Sequence, residues 1–138
     1  MFDHCLYFNT AALARRLERE WASAFDPFGL TPPQAFMLRA ILDRPGMLQR
    51  ELAESMSISR PTATRALDGL QAKGLIERRG LQRDGRELEI HPTPSATQMK
   101  AALNHASARV TARLKELLGA GAFRATVSQI KGVRAALD

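Results

Sequence analysis

Two clusters of arginine hold most of the chemistry open to this sequence. Ser59-Arg60-Pro61-Thr62-Ala63-Thr64-Arg65 sets two guanidinium groups among three hydroxyls. Arg78-Arg79 and Arg83-Asp84-Gly85-Arg86 add four more arginines around a turn. A guanidinium is a rigid fork of N–H donors with no acceptor. It matches phosphate oxygens, or the O6 and N7 edge of guanine, and a threonine meets a thymine methyl or a phosphate. These groups bind rather than transform. The histidines point the same way: His4, His91 and His105 are scattered, and none pairs with a carboxylate at metal or triad spacing. No glycine-rich phosphate loop occurs. Neither a metal nor a cofactor is expected, and an enzyme is the disfavoured competitor.

The charge is distributed unevenly. The chain has 138 residues and a formal net charge of +6. Met1 to Ser59 carries six basic and seven acidic residues, and Arg60 to Arg86 carries seven basic against three acidic. The positive charge therefore begins where the first arginine cluster begins, as a polyanion-binding surface requires. Asp84 would be repelled by phosphate, so it is read as a brace for the turn or for a nearby arginine, with Gly85 supplying the turn. The single cysteine, Cys5, excludes an internal disulfide. No apolar run approaches the roughly 18 residues of a membrane span, and the first residues do not resemble a signal peptide. A cytoplasmic protein with no membrane partner is expected.

Helix signals account for most of the chain. Leu6 to Phe25 reads as a helix with Leu6, Leu13, Leu17 and Trp21 on one stripe, broken by Asp26-Pro27-Phe28-Gly29. Thr31-Pro32-Pro33-Gln34 is a cap, a first-turn proline and a capping-box partner, opening a helix that stops near Asp43. Leu48 to Met56 is a short helix with Leu52, Ala53 and Met56 inward. After the tight turn Ser57-Ile58-Ser59, Ser59 caps a helix to about Lys73. Ala63, Leu67 and Leu70 give it a buried face, leaving Arg60, Thr64, Arg65 and Asp68 outward. Gly74 ends it. Leu75 to His91 switches to period two, with Leu88 and Ile90 alternating against Glu87, Glu89 and His91, as in a β-hairpin with a long basic tip. Thr93-Pro94 opens a helix to about Leu118, striped by Met99, Leu103, Ala106, Val110, Leu114 and Leu117. Gly119-Ala120-Gly121 is a break before a last helix from about Ala122 to Leu137. The expected fold is mainly α with a small β-hairpin: a single domain spanning 1–138, with a helix-turn-helix at its centre.

Short helix, tight turn and capped polar-faced helix form a helix-turn-helix, whose second helix enters the DNA major groove by its N-terminal end. Two packed helices of an all-α protein fit that pattern taken alone, and an arginine run taken alone fits a solvated surface. Together with the basic hairpin, the pattern favours double-stranded DNA as partner.

The sequence also resembles the MarR family of bacterial regulators. The resemblance lies in Glu51-Leu52-Ala53-Glu54, Ile58-Ser59-Arg60-Pro61-Thr62-Ala63-Thr64-Arg65, Leu67-Asp68-Gly69-Leu70 and Lys73-Gly74-Leu75-Ile76-Glu77-Arg78. Asp84-Gly85-Arg86 matches the family's Asp-x-Arg wing signature. The resemblance implies a winged-helix homodimer, with a DNA-binding lobe at 30–92 and dimerisation helices at 1–28 and 93–138. It implies a pseudo-palindromic operator, with Ser59, Arg60, Pro61, Thr62, Thr64 and Arg65 in the major groove and Arg83 and Arg86 in the minor groove. The chain departs from the family after the wing: Pro92-Thr93-Pro94-Ser95-Ala96 stands where Leu-Thr-x-x-Gly is usual.

Members of that family respond to small aromatic ligands or to oxidants. Tyr7, Trp21, Phe36 and Met37, with Phe25 and Phe28 nearby, are candidates to line a ligand pocket, although aromatics at helical spacing are more often core. Cys5, at the start of the first helix, is the candidate redox sensor, against the reading of a spectator thiol. The competing binding function is a winged helix used for protein contact, or an anti-repressor without specific DNA binding.

Overall fold

The computed structural model describes residues 1–81 and 84–138, with side chains for all of these except 81 and 84–86. In chain order the elements are α1 (Leu6–Phe25), a 3-10 turn (Asp26–Phe28), α2 (Pro32–Asp43), β1 (Met47–Leu48), α3 (Gln49–Ser55), α4 (Arg60–Ala72), β2 (Ile76–Leu81), β3 (Asp84–Pro92), α5 (Pro94–Leu118) and α6 (Ala120–Leu137).

The helix starts follow the capping chemistry of the sequence. At Thr31, Ser59 and Thr93 a side-chain oxygen accepts from the backbone N–H three residues on, and proline follows in the first turn. Thr31 and Gln34 complete a reciprocal capping box, at 3.3 and 3.2 Å. Gly74 takes a left-handed φ of 71° just beyond α4, and Leu75 N–H donates back to Leu70 O at 3.0 Å.

The sheet is antiparallel with strand order β1-β3-β2. Sequence periodicity shows the β2–β3 hairpin but not β1, which is only two residues long. Met47 pairs with Ile90 and Leu48 with Glu89, so the hairpin is backed by a third strand only at its base. A register shift between Gly80 and Leu81 bends it toward the tip.

The core lies where α2, α3, α4 and the start of α5 meet the sheet. Met37, Leu38, Ile41, Leu52, Leu67, Leu70, Ile90 and Leu103 are fully buried, and Phe25 seals it from the end of α1. Two expected stripes are covered only in part. On α1, Leu6 and Leu13 are exposed while Trp21 packs against the core. On α5, Leu103 is buried but Leu117, fourteen residues on, is 69% exposed. The last helix starts at Ala120 rather than about Ala122, because Gly119 alone makes the break with a φ of 86°. Apart from half-buried Phe123, α6 is exposed, including Val127, Ile130, Val133 and Leu137. Among the described residues no helix is long and apolar enough to cross a membrane.

Leu67 sits at the centre of the packing, fully buried on α4. Leu67→Ala is expected to lower the free energy of unfolding by about 2–5 kcal/mol, read from urea denaturation. A loss under about 1 kcal/mol would show that α4 is not held by this face.

Candidate nucleic-acid interface

The helix-turn-helix is built from α3, a turn and α4. Ser57 lies in the left-handed region with a φ of 54°, uncommon for a residue other than glycine. The turn is held by Ser57 N–H to Glu54 O and Ile58 N–H to Ala53 O, both at 3.1 Å, and Ile58 is partly buried against the core. From outside, the Arg134 guanidinium of α6 donates to Ser57 Oγ at 2.7 Å.

Ser59 Oγ accepts from Thr62 N–H at 3.3 Å and donates to Thr62 Oγ1 at 2.9 Å. The hydroxyls of Ser59 and Thr62 thus satisfy each other as well as the helix end. Pro61 has no N–H, which leaves the Arg60 N–H as the unclaimed donor of the first three helical positions. Of these three positions, only the Arg60 N–H could be offered to a phosphate.

Ala63, Ala66, Leu67 and Leu70 are buried. Successive residues turn by about 100°, so Pro61, Arg65 and Asp68 stand opposite that face. Arg60 and Thr64 lie on the flank toward α3. Thr64 is half-buried, its Oγ1 donating to Arg60 O and accepting from Gln49 Nε2, both at 3.0 Å. Between α3, α4 and β3 lies a recess of about 410 Å³, lined by residues including Arg50, Arg60, Thr64 and Glu87; Arg50 and Glu87 pair at 3.1 Å.

The basic segment divides once partners are assigned. Lys73 Nζ donates to Gly29 O and to Gln34 Oε1, tying the end of α4 to the start of α2. Arg79 pairs with Glu77 at 3.1 Å on the surface. Arg78 donates to Asp68, Gln71 and Thr64 O on α4. Among the described residues, the side chains of Arg60 and Arg65 have no acceptor, and both are exposed. The Arg83 candidate lies outside the described residues, as do the side chains of Asp84 and Arg86; β2 and β3 run together as far as the Leu81–Asp84 pair, with Gly85 in β3. The recruitment of Arg78 to α4 was missed in the sequence, although a signal was there. Strand period two puts Arg78 on the same side as buried Ile76.

The candidate ligand residues are not gathered into one pocket. Met37 is fully buried core. Trp21 and Phe36 lie 6.4 Å apart by ring centroid, and Phe36 meets Phe25 edge-on at 5.8 Å. Tyr7, on the same helix as Trp21, is fourteen residues away, roughly 21 Å along the axis, and is 83% exposed. It lines instead a groove between the start of α1 and α6 that includes Leu6, Ile130, Val133 and Leu137. Cys5 is exposed and caps α1, its Sγ accepting from Phe8 N–H at 3.5 Å. Sequence reasoning also passed over Arg39. Its Nε donates to Asn104 Oδ1 at 2.8 Å and its Nη1 to Ser107 Oγ at 2.9 Å, while Trp21 Nε1 donates to the same hydroxyl at 3.1 Å. The guanidinium lies 5.1 Å from the Phe36 ring centroid and meets no carboxylate among the described residues. Burial holds the Arg39 pKa below its ordinary value. This network joins α2 to α1 and α5.

A helix-turn-helix followed by an antiparallel hairpin, flanked by long terminal helices, is a winged helix-turn-helix. The sequence profile of the MarR family matches residues 28–87. A Thauera aromatica protein named for regulation of the hcr operon is 35% identical over 81 residues, 59% of this chain and 49% of that protein, so the chain spans about half of that relative. The HTH-type transcriptional repressor Rv2887 of Mycobacterium tuberculosis is 32% identical over 102 residues, covering 71% of this chain and 73% of the repressor. Among solved structures, the transcriptional repressor CouR bound to a 23-mer DNA duplex superposes with a TM-score of 0.87 at 27% identity, covering 96% of this chain and 94% of CouR. The chain belongs to the MarR family of transcriptional regulators. The family and these relatives are regulators rather than enzymes, in agreement with the scattered histidines.

Proposed function

We propose that the chain acts as a repressor that binds a pseudo-palindromic DNA operator as a homodimer. The observation that carries this reading is the state of α4. Its buried face fixes its roll, its start is capped, and the two arginines at that start, Arg60 and Arg65, are exposed and have no protein acceptor among the described residues. Residues 30–92 form the DNA-binding lobe, with Ser59 to Arg65 in the major groove, Arg65 nearest the bases. Arg83 and Arg86 at the hairpin tip enter the minor groove, where narrow A-tracts concentrate negative potential. That CouR was solved on a DNA duplex supports the reading. The competing protein-contact reading gives no reason for unpaired arginines at a capped helix start.

Residues 1–28 and 93–138 supply the dimer interface. Leu6 (64% exposed), Leu117, Ile130 and Leu137 (83% exposed) leave an apolar surface on α1, α5 and α6 that a single copy does not cover. A two-fold dimer would set two copies of α4 about 34–36 Å apart, one turn of DNA.

Release by a small aromatic carboxylate is the signal the geometry favours. Arg39 is a half-buried cation with three N–H groups unclaimed among the described residues, beside Trp21 and Phe36, where α2 meets α1 and α5. Cys5 has only its exposure to support an oxidant switch.

Binding to a selected operator is expected to fall steeply with salt while still exceeding binding to random duplex. Arg65→Ala should cost about 1–3 kcal/mol of that discrimination, and Arg86→Ala should weaken operator binding without changing assembly. No binding to any duplex at low salt would leave the protein-contact reading in its place. In sedimentation equilibrium the wild type should be dimeric and Ile130→Asp monomeric; a monomeric wild type removes the two-fold operator. Trp21 is the sole tryptophan, so its fluorescence should report benzoate-type anions in the wild type and lose that response in Arg39→Met. An equal response in both variants would place the anion elsewhere.

A further inference from the structure

Arg78 differs from every other described cation in the basic segment. It stands on β2 at the base of the hairpin, opposite buried Ile90. Its side chain is only 16% exposed. Nη1 donates to Asp68 Oδ1 at 2.7 Å and to Gln71 Oε1 at 3.1 Å, and Nη2 donates to the Thr64 carbonyl at 3.4 Å. Thr64, Asp68 and Gln71 lie at i, i+4 and i+7, so one guanidinium spans two turns of α4 along a single stripe. Its Nε is buried and has no partner among the described residues, and its burial closes that donor to an outside anion.

We infer that Arg78 is a positioning residue rather than a DNA contact, and that the Asp68–Arg78 pair sets operator discrimination by fixing the hairpin's angle to α4. The inference rests on the DNA-reading function proposed above. The mechanical reason lies in the sheet. β1 backs β3 only at Glu89 and Ile90, so toward the tip the hairpin is a two-stranded ribbon. A ribbon takes its direction from its base, and Arg78 is the base residue that grips α4. The outward face of α4 and the arginines of the tip must reach two grooves together, so a change of angle at Arg78 moves one set of readers out of register with the other. Asp68 explains itself by the same geometry. It is 60% exposed on the outward side of α4, where an unpaired carboxylate would repel phosphate, and the Arg78 guanidinium at 2.7 Å offsets its charge.

The experiment uses the full chain, an operator selected from random duplexes by the wild type, and a random-sequence duplex of equal length. If Asp68 were an idle surface acid, Asp68→Asn would tighten binding to both. The expected result is a fall in the operator-to-random ratio by about tenfold or more, the scale of one mismatched base pair. Arg78→Met should match it, the double variant should be no worse than either single one, and Arg78→Lys should not rescue, because an ammonium lacks the fork. On random DNA the salt slope should stay unchanged in Arg78→Met, whereas loss of a phosphate contact would reduce it by about one. Hydrogen exchange in the free protein should show faster exchange of β2 and β3 amides in Asp68→Asn, which keeps the test open should Arg78→Met fold poorly. A shallower slope with equal loss on both duplexes, tighter operator binding by Asp68→Asn, or unchanged hairpin exchange each overturns the positioning role. A wild type that binds no duplex overturns the DNA reading instead, and the discrimination role with it; the exchange data still decide whether the pair holds the hairpin.

Discussion

The roll of α4 about its own axis is set by burying Ala63, Ala66, Leu67 and Leu70, and the rest of the candidate interface depends on it. Once those four face the core, the helix has no freedom to choose which side chains stand outward. Two of the four are alanines, which let α4 approach closely, and a third small residue serves the neighbouring contact. Gly69 faces α2, and a Cβ there would collide with the Gln34 amide. That amide group is not free to move away, since its oxygen accepts from Lys73 and from the Thr31 N–H of the capping box. The start of α2, the end of α4 and the loop at Gly29 are therefore one connected piece, and the roll of α4 is transmitted to it.

Within this frame the positive charge does two kinds of work. Lys73, Arg78 and Arg79 are engaged by protein acceptors: Lys73 ties α4 to α2 and Arg78 ties the hairpin to α4, while Arg79 pairs with Glu77 within β2. They still add to the long-range field that draws a polyanion toward this side of the molecule. Arg60 and Arg65 have no such acceptor among the described residues and remain available for contact. A count of basic residues over 60–86 merges these groups, although they differ in what their removal would do.

Most of the fold was legible in the sequence because its signals are local. Capping at Thr31, Ser59 and Thr93, the breaks at Gly74 and Gly119, and the alternation through Leu88 and Ile90 each follow from a few adjacent residues, and each reappears in the structure. What was not legible depends on partners far along the chain. β1 is two residues long and exists only because Ile90 and Glu89 lie opposite. Arg39 gains its meaning from Asn104 and Ser107, more than sixty positions away. Asp68 looked merely outward until Arg78 reached it from the next element. The stripes of α1 and α5 were legible as apolar, but periodicity cannot say how much of a stripe its own chain covers. For the basic tip, the Asp-x-Arg resemblance remains the basis of the reading, since those side chains lie outside the described residues.

The incomplete cover of those stripes bears directly on the turn of the helix-turn-helix. The α6 residues Ile130, Val133 and Leu137 are exposed, and Arg134, among them in sequence, reaches Ser57 in that turn. Ser57 holds a left-handed φ without being glycine, a conformation that needs support from its surroundings. In the proposed dimer a second copy would cover the apolar residues of α6 and fix the helix in place. The same helix supplies the hydrogen bond to Ser57, so assembly and the geometry of the turn would share one element. Loss of the dimer would then cost more than the second half-site. It would also loosen α6, and with it the support of the turn from which α4 begins.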